Sequence, residues 1–269
     1  MFGSSRRRRR PPRTYSIYDP VPLGIDEDGN PVHVTLMYRN LLVGGEPGSG
    51  KSSLLNTIIA HTVFCPDARL VLIDGKVVEF GLWREAAQVF VGNNPTDALT
   101  ALRNLQQVMN DRYHYLERAR RRKITPGDGL PAIVCVIDEL AYFSVTVGTP
   151  QEQDEFKTLV RDLVARGRAA GVIVIAATQR PSADIIPTSL RDLFGYRVAF
   201  RCTTDSSSDI ILSVGWAHEG YSAKDIAPEQ LGVALLLAEG GIPRRIKAAY
   251  LTDDEIELIL AILRRRHTA

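Results

Sequence analysis

Long apolar runs are missing from this sequence. Nowhere do about eighteen apolar residues follow one another, so no membrane-spanning helix is expected. Cysteine is scarce. Cys65, Cys135 and Cys202 are odd in number and far apart, and no pair has the spacing of a metal-binding motif. Cys135 and Cys202 fall in apolar, strand-like segments and read as reduced core thiols, which implies a reducing cytoplasm. A broadly basic body is missing too. The net charge is +2, but Arg6 to Arg10 and Arg13 supply six of the positive charges, so the rest of the chain is net acidic. Any nucleic-acid contact must use local patches or that tail. No apolar segment follows the arginines, which excludes a secretory signal. Recruitment to the inner face of the cell membrane would then need a separate anchoring partner.

What is present is an ordinary globular composition, 45% hydrophobic and 24% charged. At 269 residues the chain is long enough for one large α/β domain. Residues 1–14, rich in Arg, Pro and Ser, are expected to be a disordered basic tail. Residues 15–38 are expected to form an N-terminal hairpin, Val21 to Ile25 and Pro31 to Leu36 flanking the turn-rich Asp26-Glu27-Asp28-Gly29-Asn30. Residues 39–269 alternate strand and helix. Apolar runs at Leu41–Val43, Arg69–Ile73, Ala132–Ile137, Val172–Ala177 and Arg197–Arg201 read as strands, with Val233–Leu237 and Arg245–Tyr250 as a terminal pair. Helices are expected over Lys51–Phe64, Thr96–Lys123 with Thr96 as cap, and Gln151–Ala169 stopped by Gly171. A last helix starts after Thr252, with Glu255 completing a capping box. This alternation predicts a mostly parallel sheet with helices on both faces.

Gly45-Glu46-Pro47-Gly48-Ser49-Gly50-Lys51-Ser52 fits G-x-x-x-x-G-K-[ST] at every fixed position, between a strand and a helix. Glycines let successive N–H groups turn inward around phosphate oxygens, and the helix N-terminus adds partial positive charge. The residues from Gly45 to Ser52, with Ser53, are therefore expected to bind ATP. Lys51 would reach the β- and γ-phosphates and Ser52 would ligate Mg²⁺. The run Ile133 to Ile137 ends in Asp138-Glu139, 87 residues after Lys51. At the carboxyl end of a parallel strand, Asp138 would share the Mg²⁺ and Glu139 would deprotonate the attacking water. The next strand ends in Thr178-Gln179-Arg180-Pro181. Gln179 reads either as a sensor of the γ-phosphate or water, or as a turn residue before Pro181.

Together these residues resemble the motor domain of the FtsK/SpoIIIE DNA translocases, from about Pro22 to about Arg266. The most specific stretch is Arg168-Ala169-Ala170-Gly171 followed by Ala177-Thr178-Gln179-Arg180-Pro181-Ser182. Ile73-Asp74-Gly75-Lys76, Arg197-Val198-Ala199-Phe200 and Ala249-Tyr250-Leu251-Thr252-Asp253-Asp254-Glu255 fall in matching order. The resemblance implies a RecA-like P-loop ATPase that assembles as a ring, usually a hexamer, around double-stranded DNA. ATP would lie between subunits, and an arginine from the neighbour would complete the site. Arg166, Arg168, Arg197 and Arg201 are candidates. The membrane segments and C-terminal winged helix of the long chromosomal members are not in this sequence. The shorter architecture is similar to the transfer proteins of actinobacterial conjugative or integrative elements. Protein-moving ATPases of the type VII class share parts of these motifs, and a slowly hydrolysing regulatory module is a further alternative. The intact set of Lys51, Ser52, Asp138 and Glu139 argues against the latter, and the Asp138-Glu139 pair against a small-molecule kinase. The loop over 182–195 is the natural pore element, with Ser182, Thr188 and Arg191 as candidate DNA-backbone contacts. Basic residues also cluster at Arg118, at Arg120 to Lys123 and at Arg264 to Arg266, where cations suit a helix C-terminus.

Overall fold

A computed structural model describes residues 15–267. The basic tail expected over 1–14 lies outside the described residues. Ten strands form one sheet: β1 (Val21–Asp26), β2 (Pro31–Val34), β3 (Leu41–Gly44), β4 (Ala68–Ile73), β5 (Val89–Val91), β6 (Ala132–Ile137), β7 (Val172–Thr178), β8 (Tyr196–Phe200), β9 (Val233–Ala238) and β10 (Arg244–Ala248). Six helices accompany them: α1 (Lys51–Val63), α2 (Pro95–Arg118), α3 (Pro150–Ala170), α4 (Thr188–Arg191), α5 (Asp205–Leu212) and α6 (Asp253–His267). The strand order is β2-β1-β10-β9-β8-β3-β7-β6-β4-β5. From β8 to β5 every pairing is parallel, and from β8 to β2 every pairing is antiparallel. The expected N-terminal hairpin thus forms, and it joins the same sheet through β10.

The central strands are buried on both faces, which is why they read as unbroken apolar runs. Successive side chains alternate between two cores. Val134 and Val136 of β6, with Ile173 and Ile175 of β7, face the core that α1 and α6 close. Cys135 and Ile137, with Val172 and Val174, face the core under α2, α3 and α5. All three cysteines are buried free thiols, and burial pushes each of them up to about 12.

Two expectations about α2 need correction. Its cap is Asn94, whose side chain accepts from the N–H groups of Thr96 and Asp97. Pro95 has no N–H to offer and its fixed φ suits the first helical position, which puts the cap at Asn94, two residues upstream of Thr96. The helix also stops at Arg118 and does not run to Lys123. Arg120 turns left-handed (φ 52°) and Ile124 plunges into the core, its N–H bonded to Ala169 O. The basic run is then spent locally: Arg121 pairs with Asp128 and Lys123 stands 4.2 Å over the Tyr38 ring. At the other end of the chain, Arg264 pairs with Glu85 and Arg266 lies over Phe64. The Thr252–Glu255 capping box forms as read.

Asn40, fully buried just before β3, fastens three elements together. Its Nδ2 donates to Val164 O of α3 and its Oδ1 accepts from Val174 N of β7, both at 2.8 Å. Asn40→Ala would strand the buried Val174 N–H, worth about 1–3 kcal/mol, and remove the second donor of Val164 O, which keeps its helical one. Urea unfolding is expected to show a loss of about 2–4 kcal/mol, most of it present whether or not nucleotide is added.

Candidate functional site

The phosphate loop leaves the sheet between β7 and β8. Gly45 N donates to Thr178 O (3.3 Å) and Glu46 N to Arg201 O (2.9 Å). Gly45 and Gly50 take φ of 147° and 117°, open to glycine and strained for other residues. A Cβ on Gly50 would also come 2.6 Å from Gly232 Cα. Gly50 caps α1 without any side-chain hydrogen bond, whereas Asn94, Thr149 and Thr204 cap α2, α3 and α5 with their side chains. The first turn of α1 therefore presents its N–H groups uncapped, with the helix dipole behind them, which is how a helix binds an anion.

Lys51 is nearly buried, and its Nζ donates to Gly45 O and Glu46 O, both at 2.7 Å. Burial pulls its pKa down to about 8 against the opposing attraction of Glu139 and Asp138. Glu46 is held in turn by Arg201 at 2.6 Å and by the Thr203 hydroxyl at 2.6 Å. The loop is thus braced by the end of β8 as well as by its own lysine.

Asp138 and Glu139 follow β6, and the two carboxylates live in different surroundings. Asp138 Oδ2 is buried with no hydrogen-bond partner, and Lys76 Nζ stands 3.8 Å away. Desolvation pushes this carboxyl up to about 7, the lysine opposing. A buried carboxylate oxygen without a donor is what a cation ligand looks like when its electrostatics are read from the protein alone. Ser52 lies in the same cluster, its Oγ donating to Glu79 Oε2 at 2.8 Å, with Lys76 Nζ 3.5 Å from Glu79 Oε1. Among the described residues no group of three or more His, Cys, Asp or Glu is arranged to hold a metal. Two oxygen ligands supplemented by phosphates are the usual protein share for Mg²⁺, so Ser52 and Asp138 fit that ion.

Glu139 is clamped to the end of β7. Its Oε1 accepts from Thr178 Oγ1 (2.6 Å) and Ala141 N (3.1 Å), and its Oε2 from Gln179 N (2.8 Å). Each carboxylate oxygen offers two lone pairs. Oε1 has both engaged, so Oε2 retains the one open to a further donor. Gln179 therefore reaches this carboxylate through its backbone, a contact the sequence reading did not anticipate. Thr178 and Glu79 were not singled out from the sequence at all. Thr178 carried one usable signal, a polar residue ending a wholly apolar strand beside the acidic one. Glu79 carried none, because no spacing rule links it to Ser52.

The four candidate arginines are all engaged within the chain. Arg166 pairs with Asp162, and Arg168 donates to Tyr38 O and Glu239. Arg197 donates to Leu212 O, near Asp192. These three belong to the end of α3 and the start of β8, at the amino end of the parallel strands, opposite the carboxyl end that carries the phosphate loop. Arg201 alone stands at the loop, on Glu46. One pore contact is corrected. Arg191 is 5% exposed, paired with Asp192 and donating to Asp209 O, so it serves the packing of α4 on α5 and has no face left for DNA. Thr188 is exposed at the start of α4, and Ser182 is half-buried.

The FtsK/SpoIIIE family profile matches residues 6–130. The DNA translocase FtsK of Corynebacterium efficiens is 32% identical over 93% of this chain, and that of Treponema pallidum is 32% identical over 91%. The chain spans only 28% and 31% of the length of those two relatives. Among solved structures, the pCW3 conjugation coupling protein TcpA, in a monomer form with ATPγS, superposes with a TM-score of 0.78 at 26% identity, over 93% of this chain and 71% of that one. The cytoplasmic domain of the type VII secretion ATPase EccC of Thermomonospora curvata gives 0.69 at 22% identity, over 94% of this chain and 32% of that one, a likeness of fold. Over residues 6–130 the chain thus matches the FtsK/SpoIIIE family, and over about nine-tenths of its length it is similar to the FtsK DNA translocases.

Proposed function

We propose that the chain is an ATP-hydrolysing motor that translocates double-stranded DNA. The observation that carries the hydrolytic part is the clamped Glu139, set beside Asp138 at the end of β6 and tied to the end of β7, the strand next to the phosphate loop. The DNA substrate is inferred from the similarity to the FtsK translocases.

In this reading the uncapped first turn of α1 and the Gly45–Ser53 loop receive the ATP phosphates. Lys51 exchanges its two carbonyl partners for phosphate oxygens, a charge-assisted and stronger pairing. Ser52 and Asp138 would hold Mg²⁺, which when bound would neutralise phosphate charge. Glu139 takes the proton of the attacking water at the open lone pair of Oε2. Its other contacts keep it aimed and tie its readiness to the position of β7. Gln179 and the loop it opens run from this carboxylate towards 182–195, the stretch read as the pore element. A change there would be felt at Oε1 and Oε2 through Thr178 and Gln179.

Assembly as a ring, in keeping with the family, would place the nucleotide between subunits. A neighbour's arginine would then supply charge that the cis arginines do not, since three of the four stand at the amino end of the parallel strands, opposite the loop. Among the described residues no helix is long and apolar enough to cross a membrane, so attachment to one would fall to another protein or segment. The hairpin at 15–38 and the ATPase region at 39–269 are proposed to work as one body through their shared sheet.

The discriminating experiment is steady-state ATP hydrolysis with and without linear duplex DNA at low and moderate salt. Duplex DNA is expected to raise turnover at least several-fold, with the effect weakening as salt rises because phosphate contacts release counterions. Hydrolysis indifferent to DNA, at protein concentrations high enough to assemble, would point to a protein-moving motor of the type VII class.

A further inference from the structure

The run Ile73-Asp74-Gly75-Lys76 has so far been assigned no work, yet the structure builds it with care. Asp74, fully buried at the end of β4, gathers three backbone N–H groups. Its Oδ1 accepts from Lys76 (3.0 Å) and Val77 (2.8 Å), and its Oδ2 from Phe80 (2.8 Å). Val77 is held at φ 70°, a conformation a β-branched residue adopts only when its surroundings impose it. Beyond the turn, Phe80 and Trp83 are fully buried, and Trp83 Nε1 donates to Asn56 Oδ1 at 3.0 Å. Asn56 lies on α1, the helix that carries Ser52. The turn is therefore fixed at one end to β4 and at the other to the nucleotide-binding helix.

What this turn presents is Glu79. A serine that ligates a cation does so through an oxygen lone pair, and its single proton must go to some other acceptor. Here the acceptor is Glu79 Oε2, at 2.8 Å. An anionic acceptor fixes the hydroxyl rotor and raises electron density on the oxygen, as outer partners of metal ligands generally do. Lys76 completes the arrangement, lying 3.5 Å from Glu79 and 3.8 Å from Asp138, so that one ammonium spans the ligand's partner and the second ligand.

We propose that Glu79 is a positioning residue for the metal–nucleotide site: it accepts the hydrogen bond of the Ser52 hydroxyl and so holds the serine oxygen lone pairs ready for the Mg²⁺ that accompanies ATP, with Lys76 keeping Glu79 and Asp138 in register. This rests on the reading of Ser52 and Asp138 as the Mg²⁺ ligands, and it adds a third carboxylate to that site.

The test is ATPγS binding to the full chain, first in EDTA and then across a MgCl₂ titration. The proteins compared are wild type, Glu79→Ala, Ser52→Ala and the double variant. Glu79→Ala is expected to raise the Mg²⁺ midpoint by about tenfold or more while binding in EDTA stays near wild type. On the Ser52→Ala background the same change should add little, because the two residues act through one contact. If Glu79→Ala loses EDTA binding by failing to fold, Glu79→Gln, which keeps a neutral acceptor, takes its place and should give a smaller shift. An unmoved midpoint in the folded variant overturns the proposal, as does an equal shift with Ser52 already gone. A wild-type affinity that does not respond to Mg²⁺ would remove the reading of the ligands, and this assignment with it.

Discussion

Glu139→Gln is expected to bind ATP and hold it unhydrolysed. The substitution keeps the shape of the side chain and an acceptor oxygen, so the contact with Thr178 or with the Gln179 N–H can persist. What it loses is the basicity that removes a proton from water, a contribution worth typically about 10²- to 10⁴-fold. Nothing in the phosphate loop changes, because Gly45 to Ser53 reach the nucleotide through other atoms. Turnover should therefore fall by that factor while the ATPγS affinity stays within about twofold, a split between kcat and binding that marks a group acting only in the transition state. Single-turnover hydrolysis with equilibrium ATPγS binding measures both. Wild-type turnover in this variant would mean that another base activates the water.

Lys51→Ala acts earlier. Removing the ammonium takes away the charge-assisted contact to the β- and γ-phosphates, so ATPγS affinity should fall by at least about tenfold and turnover by about 10² or more. Unchanged turnover would sink the assignment of the loop. The stability of the same variant supplies an independent check. Burial lowers the lysine pKa to about 8 in the folded chain from its ordinary 10.5. The unfolded chain thus binds this proton more tightly than the folded one. Below pH 8 the charged lysine costs the fold stability, and that cost is relieved as pH rises from about 8 towards 10.5. Relative to wild type, Lys51→Ala should lack this rise. Near neutral pH the gain from removing a buried charge is offset by the Gly45 carbonyl, which loses its donor, while the Glu46 carbonyl keeps the Ser49 hydroxyl. Thermal unfolding of both proteins at pH 7 and pH 9.5 measures the difference.

How much of this was legible beforehand depended on how local the signal was. The parallel core could be read because strands buried on both faces are written as apolar runs, and β6 ends where the reading put it, at Ile137. The phosphate loop could be read because its chemistry needs fixed residue types in contiguous order. Shorter elements escaped. β5 is three residues long, too few for a period, and α5 opens on Asp-Ser-Ser-Ser, residues that favour caps over helix interiors. The α2 cap was misplaced by two residues, because the proline before Thr96 is itself the first helical residue and Asn94 precedes it. Arg191 looked like a free cation because sequence does not show that Asp209 O lies waiting for it. Thr178 and Glu79 were missed for the same reason. Each meets its partner 39 or 27 residues away in the chain, a juxtaposition made only when β7 docks beside β6 and the β4 turn docks on α1.

The close approach of Gly50 to Gly232 reaches beyond sterics. Gly232 N donates to Ser49 O at 3.0 Å, and Gly232 O accepts from Ala248 N at 2.8 Å, so one glycine joins the phosphate loop to the antiparallel end of the sheet. The main chain therefore offers a continuous hydrogen-bonded path from the phosphate loop to the outermost hairpin, through peptide groups and without any intervening side chain. A device that converts phosphate chemistry into pull needs a member stiff along the direction of force. In the motor proposed above that member would be this hydrogen-bonded backbone, which mutation of surface side chains on β9, β10, β1 and β2 would leave in place.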